Sequence, residues 1–439
     1  MENVDTLLHA RWIVPVEPEN TVLERHSVAI RDGRILALLP ADDARRRYRA
    51  EVELEFDDHA LIPGLINAHT HAAMSLFRGL ADDLPLMEWL NDHIWPAEGA
   101  WVSADFARDG TELAIAEMLK GGITCFNDMY FFPDETAQAA ADAGMRAVVG
   151  MILIDFPTAW AGDADEYLNK GLALRDRFRN HPLVTTAFAP HAPYTVSDAP
   201  LKRVQTLAEE LDAPIHMHVH ETAAEVLQGI ERYGNRPLQR LEDLGLVTPQ
   251  LLGVHMTQLT DDEIAAYARG GAHVIHCPES NLKLASGFCR VHRLIQAGVN
   301  VALGTDGAAS NNDLDLFSEM RTAALLAKAV AGEANALPAS QALRMATLNG
   351  ARALGIDDET GSLQPGKSAD ITAVDLGALE TQPLYHVVSQ LVYAAGRHQV
   401  SDVWVAGRHM VKDGRLTTLD EHALLGKARG WQARIRKFD

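Results

Sequence analysis

The sequence predicts a (β/α)8 barrel with a small β-sandwich built from both chain ends, on three observations. Eight short apolar segments alternate with helical patterns between residues 60 and 310, the layout of a parallel barrel. Polar, chemistry-bearing residues gather at the C-terminal tips of those segments, where a barrel keeps its reactive groups. At both ends the texture changes to β-rich runs punctuated by Asp-Gly turns. An open doubly wound sheet is the competing architecture, and the count of eight disfavours it.

Taken in order, residues 1–58 read as strands and turns. Ser27-Val-Ala-Ile-Arg-Asp-Gly-Arg-Ile-Leu-Ala-Leu holds two β-rich runs around Asp32-Gly33, a hairpin signal. The barrel strands are expected at 60–68, 122–128, 145–153, 184–190, 214–220, 251–256, 272–277 and 299–305. Helical periodicity fills the gaps, as in Asp134–Ala143, Ala199–Leu211, Asp261–Arg269 and Val291–Ala297. After about residue 360, Ile371-Thr-Ala-Val, Val400–Gly407 and the Asp413-Gly414 turn return to β. The division expected is therefore a discontinuous small domain, 1–58 with 366–439, around a 59–365 barrel.

The bulk properties narrow the function. A net charge of −21 repels a phosphate backbone, so nucleic-acid binding is not expected. Cys125, Cys277 and Cys289 are scattered and odd in number, a pattern of reducing surroundings without zinc-knuckle spacing. The first 30 residues carry Glu2, Asp5, Glu17, Glu19 and Glu24 and no apolar signal region. No apolar run is long enough to span a membrane. A cytoplasmic location and a small-molecule partner are the expectations.

The strand tips carry the chemistry. The first ends in His69-Thr-His71, whose two rings lie on one face of an extended chain. With 19 histidines in 439 residues, about one such pair is expected by chance, so its context decides. The fourth ends in Ala189-Pro-His191-Ala-Pro-Tyr194, and the fifth is Pro214-Ile-His216-Met-His218-Val-His220-Glu221. The sixth ends at His255, and the eighth runs Asn300-Val-Ala-Leu-Gly-Thr-Asp306.

A mononuclear hydrolytic site needs three or four N/O ligands and an open position for water. His69, His71, one histidine of the fifth strand and Asp306 supply that set. Period-2 logic does not choose among His216, His218 and His220. Glu221 is the natural proton shuttle, and His255 could hold the attacking water. Singly, each residue has a structural explanation: His191 or His255 as a satisfied core histidine, Asp306 as a turn residue. Five polar tips at one end of one layer are harder to explain that way.

Pro63-Gly-Leu-Ile-Asn-Ala-His69-Thr-His71 resembles the opening metal motif of the amidohydrolase superfamily, and the likeness extends along nearly the whole chain. Gln364-Pro-Gly-Lys-Ser-Ala-Asp370 looks like that superfamily's return into its split β unit. Trp95-Pro-Ala-Glu98, Ala189–Tyr194, Ser280-Asn-Leu-Lys-Leu284 and Gly304-Thr-Asp306-Gly-Ala-Ala-Ser-Asn-Asn312 are similar to the 5′-methylthioadenosine/S-adenosylhomocysteine deaminases.

The resemblance implies that His69, His71, His218 and Asp306 bind the metal, His218 because the family pattern is His-x-x-Glu ending at Glu221. It implies one divalent ion per subunit, zinc first with iron or manganese as alternatives, since the fourth strand offers no lysine to bridge two. It further implies hydrolytic attack at C6 of adenine, with Glu221 protonating N1 and Asp306 and His255 handling the water's proton. Glu98 and His191, with Glu221 and Asp306, match substrate-binding positions. A homo-oligomer is compatible with the fold. The loop with Met87, Trp89 and Trp95 is left to close over substrate or to serve a neighbouring subunit.

One departure concerns the substrate. Relatives that take S-adenosylhomocysteine are expected to hold its carboxylate with arginine after the third strand, yet Ala147 through Asn169 contains no Lys or Arg. Met151, Ile152, Phe156 and Trp160 stand there with Asp155 and Asp163. A methylthio group suits such a wall and a buried carboxylate does not, so 5′-methylthioadenosine is the expected substrate, with S-adenosylhomocysteine or adenosine weaker. Deamination of guanine, 8-oxoguanine or cytosine, a two-metal cyclic-amide hydrolase and a non-catalytic scaffold are the alternatives. The scaffold predicts degraded ligand motifs, which this sequence does not have.

Overall fold

A computed structural model describes residues 1–436. Eight strands, β5 (Leu65–Thr70), β6 (Ile123–Asp128), β7 (Arg146–Leu153), β8 (Val184–Pro190), β9 (Ile215–Val219), β10 (Leu251–His255), β11 (His273–His276) and β12 (Asn300–Leu303), pair in chain order. Every pairing among them is parallel. Their residues are buried almost throughout, as expected of strands covered on both faces. The expected helices also form, as Pro133–Ala143, Asp198–Leu211, Asp261–Gly270 and Val291–Gln296. Thr260 and Glu263 make a capping box that fixes the start of one of them.

The chain ends form a second sheet. Its strands β1 (Glu2–Ile13), β2 (Leu23–Arg31), β3 (Arg34–Pro40), β4 (Tyr48–Pro63), β13 (Ile371–Asp375), β14 (Val400–Val405), β15 (Arg408–Lys412) and β16 (Arg415–Leu416) lie in the order β16-β15-β14-β13-β4-β1-β2-β3. Both Asp-Gly turns close hairpins with two left-handed residues. Asp32 and Gly33 have φ of +53° and +74°, and Asp413 and Gly414 +49° and +72°. A buried bidentate pair ties the two sheets together: Arg146 Nε donates to Asp370 Oδ2 at 2.8 Å and Nη2 to Oδ1 at 3.3 Å. Burial alone would raise the Asp370 carboxyl, but the charge and hydrogen bonds of Arg146, with those from Ala406 N and Ser368, together hold it below the usual carboxylate range.

Two expectations are corrected. The apolar run 60–68 is not one strand. Residues 60–63 finish β4 and pair antiparallel with β13, and a new strand begins at Leu65. Gly64 makes the break: a Cβ there would lie 2.1 Å from Thr124 Oγ1. Continuous apolarity marks burial on both faces and carries no sign of where one sheet hands over to the next. The C-terminal segment also holds a helix, Glu421–Ile435, that the β reading missed. Trp431 Nε1 docks it on the helix Ala104–Lys120 through Asp109 Oδ2 at 2.9 Å. Its buried residues Leu424, Trp431 and Ile435 are too sparse for a clear period. Among the described residues no helix is long and apolar enough to cross a membrane.

The seam between β12 and β5 closes on particular contacts. Asp306 N donates to His69 O at 3.1 Å. Asn67 spans the gap with both amide atoms, accepting from Thr305 N at 3.0 Å and donating to Thr305 Oγ1 at 2.8 Å. Gly304 permits the approach, because a Cβ there would stand 2.7 Å from His69 Cβ and 2.8 Å from His69 N. Gly304→Ala should therefore push β5 and β12 apart and destabilise the protein by about 1–3 kcal/mol, read as a lower urea midpoint. An unchanged midpoint would mean the seam tolerates the extra methyl.

Candidate metal centre and its cavity

His69 and His71 sit at the tip of β5, His218 on β9 and Asp306 three residues past β12. His69 Nε2 and His71 Nε2 each stand 3.2 Å from Asp306 Oδ1, and His218 Nε2 is 3.2 Å from His69 Nε2. Together these four residues each offer one ligand atom, all within 4.8 Å of one another.

The outward nitrogens are already committed. His71 Nδ1 donates to Met129 O, and His218 Nδ1 donates to His191 O at 2.9 Å, so the neutral rings present bare Nε2 lone pairs to the centre. His69 Nδ1 lies 2.8 Å from His216 Nε2, and donation in that direction frees its Nε2 as well. Asp306 Oδ2 accepts from Ser280 Oγ at 2.6 Å and Ser310 Oγ at 2.7 Å, and Oδ1 faces the centre.

Burial pushes His69 down to about 4 and His218 well below the ordinary histidine value, keeping both in the ligating form. Burial acts the same way on His71, but the Asp306 hydrogen bond and charge outweigh it and lift that ring to about 9. The carboxylate thus calls for positive charge at this point. A divalent ion answers it more completely than one proton, since all four donor atoms face the same spot. Three imidazoles and one carboxylate fit zinc or a similar borderline ion.

The fifth strand's three histidines separate by depth. His218 reaches the centre, while His216 stands behind His69 as its hydrogen-bond partner. His220 lies beyond β9 with φ +55°, and its Nε2 accepts from Leu238 N at 3.1 Å, away from the cluster. Glu221 and His255 flank the centre with Glu221 Oε1 3.8 Å from His255 Nε2, and the His255 ring stacks on His218 at 5.4 Å. Burial raises the Glu221 carboxyl above its ordinary value, the direction that suits proton exchange near neutrality. His255 and Asp306 both hold left-handed backbone, φ +72° and +61°, a conformation that persists where the surroundings enforce it.

A cavity of about 240 Å³ opens over this cluster and is lined by His71, His191, His218, Glu221, His255 and Asp306, with Glu98 among them. Burial lifts the Glu98 carboxyl to about 7, against the opposing effects of Tyr130 and His71. Burial also keeps His191 neutral, at about 3. The remaining wall is largely apolar, including Trp89, Leu90, Ile94, Val102, Phe131, Ile154 and Phe156. Trp89 and its neighbours reach it from a π-helical turn, Trp89–Ile94, in the loop after β5, so that loop covers the cavity of its own chain. Residue-by-residue reading missed the supports: His216 behind His69, Ser280 and Ser310 on Asp306, and Asn67 at the seam. The serines lie in the Ser280–Leu284 and Gly304–Asn312 motifs, Asn67 in Pro63–His71 and His216 in the fifth strand, but only contact distances give them these roles.

The amidohydrolase family's sequence pattern matches residues 60–410. The 5-methylthioadenosine/S-adenosylhomocysteine deaminase of Saccharophagus degradans is 52% identical over 432 residues, covering 98% of this chain and 97% of its own. The protein of the same name from Teredinibacter turnerae is also 52% identical, covering 98% of each chain. Among solved structures, an adenosine deaminase from Xanthomonas campestris with bound zinc superposes with a TM-score of 0.98. It is 57% identical and 99% of each chain is covered. The chain belongs to the amidohydrolase family, and within it to the 5-methylthioadenosine/S-adenosylhomocysteine deaminases.

Proposed function

We propose that the protein is a metal-dependent hydrolytic deaminase that converts 5′-methylthioadenosine to 5′-methylthioinosine and ammonia. The observation that carries the reading is the convergence of three imidazole Nε2 atoms and Asp306 Oδ1 on the floor of a largely apolar cavity with Glu221 beside it. The names of the relatives and the zinc in the Xanthomonas structure support the reaction class and the ion.

His69, His71, His218 and Asp306 would hold the ion. When bound, a divalent ion of this kind lowers the pKa of water towards neutrality, so that a nucleophile is available at pH 7. Water oxygen adds to C6 as Glu221 gives a proton to N1, which keeps charge from building on the ring. His255 and Asp306 take the water's proton and pass it to the departing nitrogen. The proton left on the C6 hydroxyl returns to Glu221 as the C6–N bond breaks, so that ammonia leaves and the 6-oxo ring remains. Glu98 and His191 supply polar contacts to the substrate within the cavity.

The substrate's 5′ end follows from charge. Among the described residues no Lys or Arg lines the cavity. The wall after β7 is Ile154, Phe156, Pro157, Thr158 and Ala159. Lys170, the first cation beyond it, donates to Trp160 O and pairs with Glu166 at 2.8 Å. The homocysteine carboxylate would lose water there without gaining a cation, whereas a methylthio group gains about 0.8 kcal/mol for each buried CH2-sized portion.

Three measurements test the reading. The kcat/KM for 5′-methylthioadenosine should exceed that for S-adenosylhomocysteine by about tenfold or more, a difference of about 1.4 kcal/mol; equal values would overturn the preference. Glu221→Gln should keep its zinc and lose about 10²- to 10⁴-fold in kcat, and near-normal turnover would remove Glu221 as the proton shuttle. His218→Ala should lose zinc affinity far more than His220→Ala in a chelator competition. The reverse order would assign the wrong histidine to the centre.

A further inference from the structure

Glu319 lies on the helix Leu316–Ala331, fully buried and outside the cavity lining. Its carboxyl reaches two loops, and both bear on Asp306. Oε1 accepts from Asn311 Nδ2 at 2.6 Å. The same amide nitrogen donates to Thr305 O at 2.8 Å, the carbonyl just before Asp306. Oε2 accepts from Glu279 N at 3.3 Å, one residue before Ser280. Asn311 in turn follows Ser310. Glu319 therefore grips the neighbours of both hydroxyls that bind Asp306 Oδ2.

Two further facts give this grip a purpose. Asp306 has φ +61°, which a residue with a side chain keeps only when its surroundings over-determine it. A buried carboxyl is also a costly way to fill space, because burial and the neighbouring Glu279 carboxylate both oppose its charge. A leucine of similar volume would serve packing better. What a leucine cannot do is accept from Asn311 and Glu279 at once.

We propose that Glu319 is a positioning residue that, acting through Asn311, Glu279 and the serines Ser280 and Ser310, holds Asp306 Oδ1 on the metal centre. The proposal rests on the ligand set put forward above. It does not require charge on Glu319, only its two acceptor atoms. Outer partners of metal ligands typically change affinity or activity by about 10- to 100-fold.

The test compares Glu319→Leu and Glu319→Gln with the unaltered protein. Zinc affinity is read by chelator competition, kcat and KM on 5′-methylthioadenosine, and melting temperature on the zinc-free protein. Glu319→Leu should lose about 10- to 100-fold in zinc affinity and about tenfold or more in kcat, with KM changed by less than about threefold. Glu319→Gln should recover most of both, because its amide oxygen can still accept from Asn311 while only the longer Glu279 contact is lost. A folded Glu319→Leu protein with normal zinc affinity and kcat overturns the proposal, as does a glutamine variant no better than the leucine one. Should Glu319→Leu fail to fold, Asn311→Ala severs the same link. It should lower zinc affinity in the same direction, and an unchanged affinity overturns the proposal. If the unaltered protein binds no zinc, or binds it equally well after His218→Ala, the ligand set itself falls, a result distinguishable from failure of Glu319 alone.

Discussion

The closure of the barrel between β12 and β5 is the constraint on which the site depends. It brings Asp306 within hydrogen-bond distance of His69, a residue 237 positions earlier. The seam is held by few groups: one backbone hydrogen bond from Asp306 to His69, the Asn67 amide on Thr305, and the missing side chain of Gly304. Parallel strands in a barrel are joined by long connections, and the first and last strands are the neighbours most distant in sequence. The candidate metal centre lies across this junction.

Around that junction, burial does two kinds of electrostatic work. It keeps His69, His191 and His218 neutral and raises the carboxyls of Glu98 and Glu221 above their ordinary values. The same dry surroundings make the lone Asp306 carboxylate a strong attractor of positive charge. The rest of the cavity wall is largely apolar, and among the described residues no Lys or Arg lines it. Polar centre and apolar wall thus share one low-dielectric cavity.

Much of this was legible from residue order. The alternation of apolar segments and helical periods marked all eight barrel strands within a few residues, because buried parallel strands are nearly uniform in character. The tips stood out because polar residues at the end of an apolar run need a reason. The handover at Gly64 was not legible: apolar residues on both sides of it serve different sheets with the same chemistry. Nor was the helix Glu421–Ile435, whose buried side chains are few and whose anchors on the helix Ala104–Lys120 lie far earlier in the chain, as with Trp431 on Asp109, 322 positions away.

Sequence by itself determined which chemistries were available: imidazoles and carboxylates at strand tips, an excess of negative charge, and a stretch after the third barrel strand without Lys or Arg. Its likeness to a known family singled out His218, whereas periodicity left His216, His218 and His220 equal. Tertiary structure decided the rest, because depth along a strand and direction of a ring are properties of packing. It set His218 at the centre, put His216 behind His69 and turned His220 away. Among the described residues it brought no Lys or Arg from another loop into the cavity lining, which a local stretch of sequence cannot guarantee. It also joined Glu319 to Asp306 through two loops, since hydrogen bonds between distant segments exist only once the chain has folded.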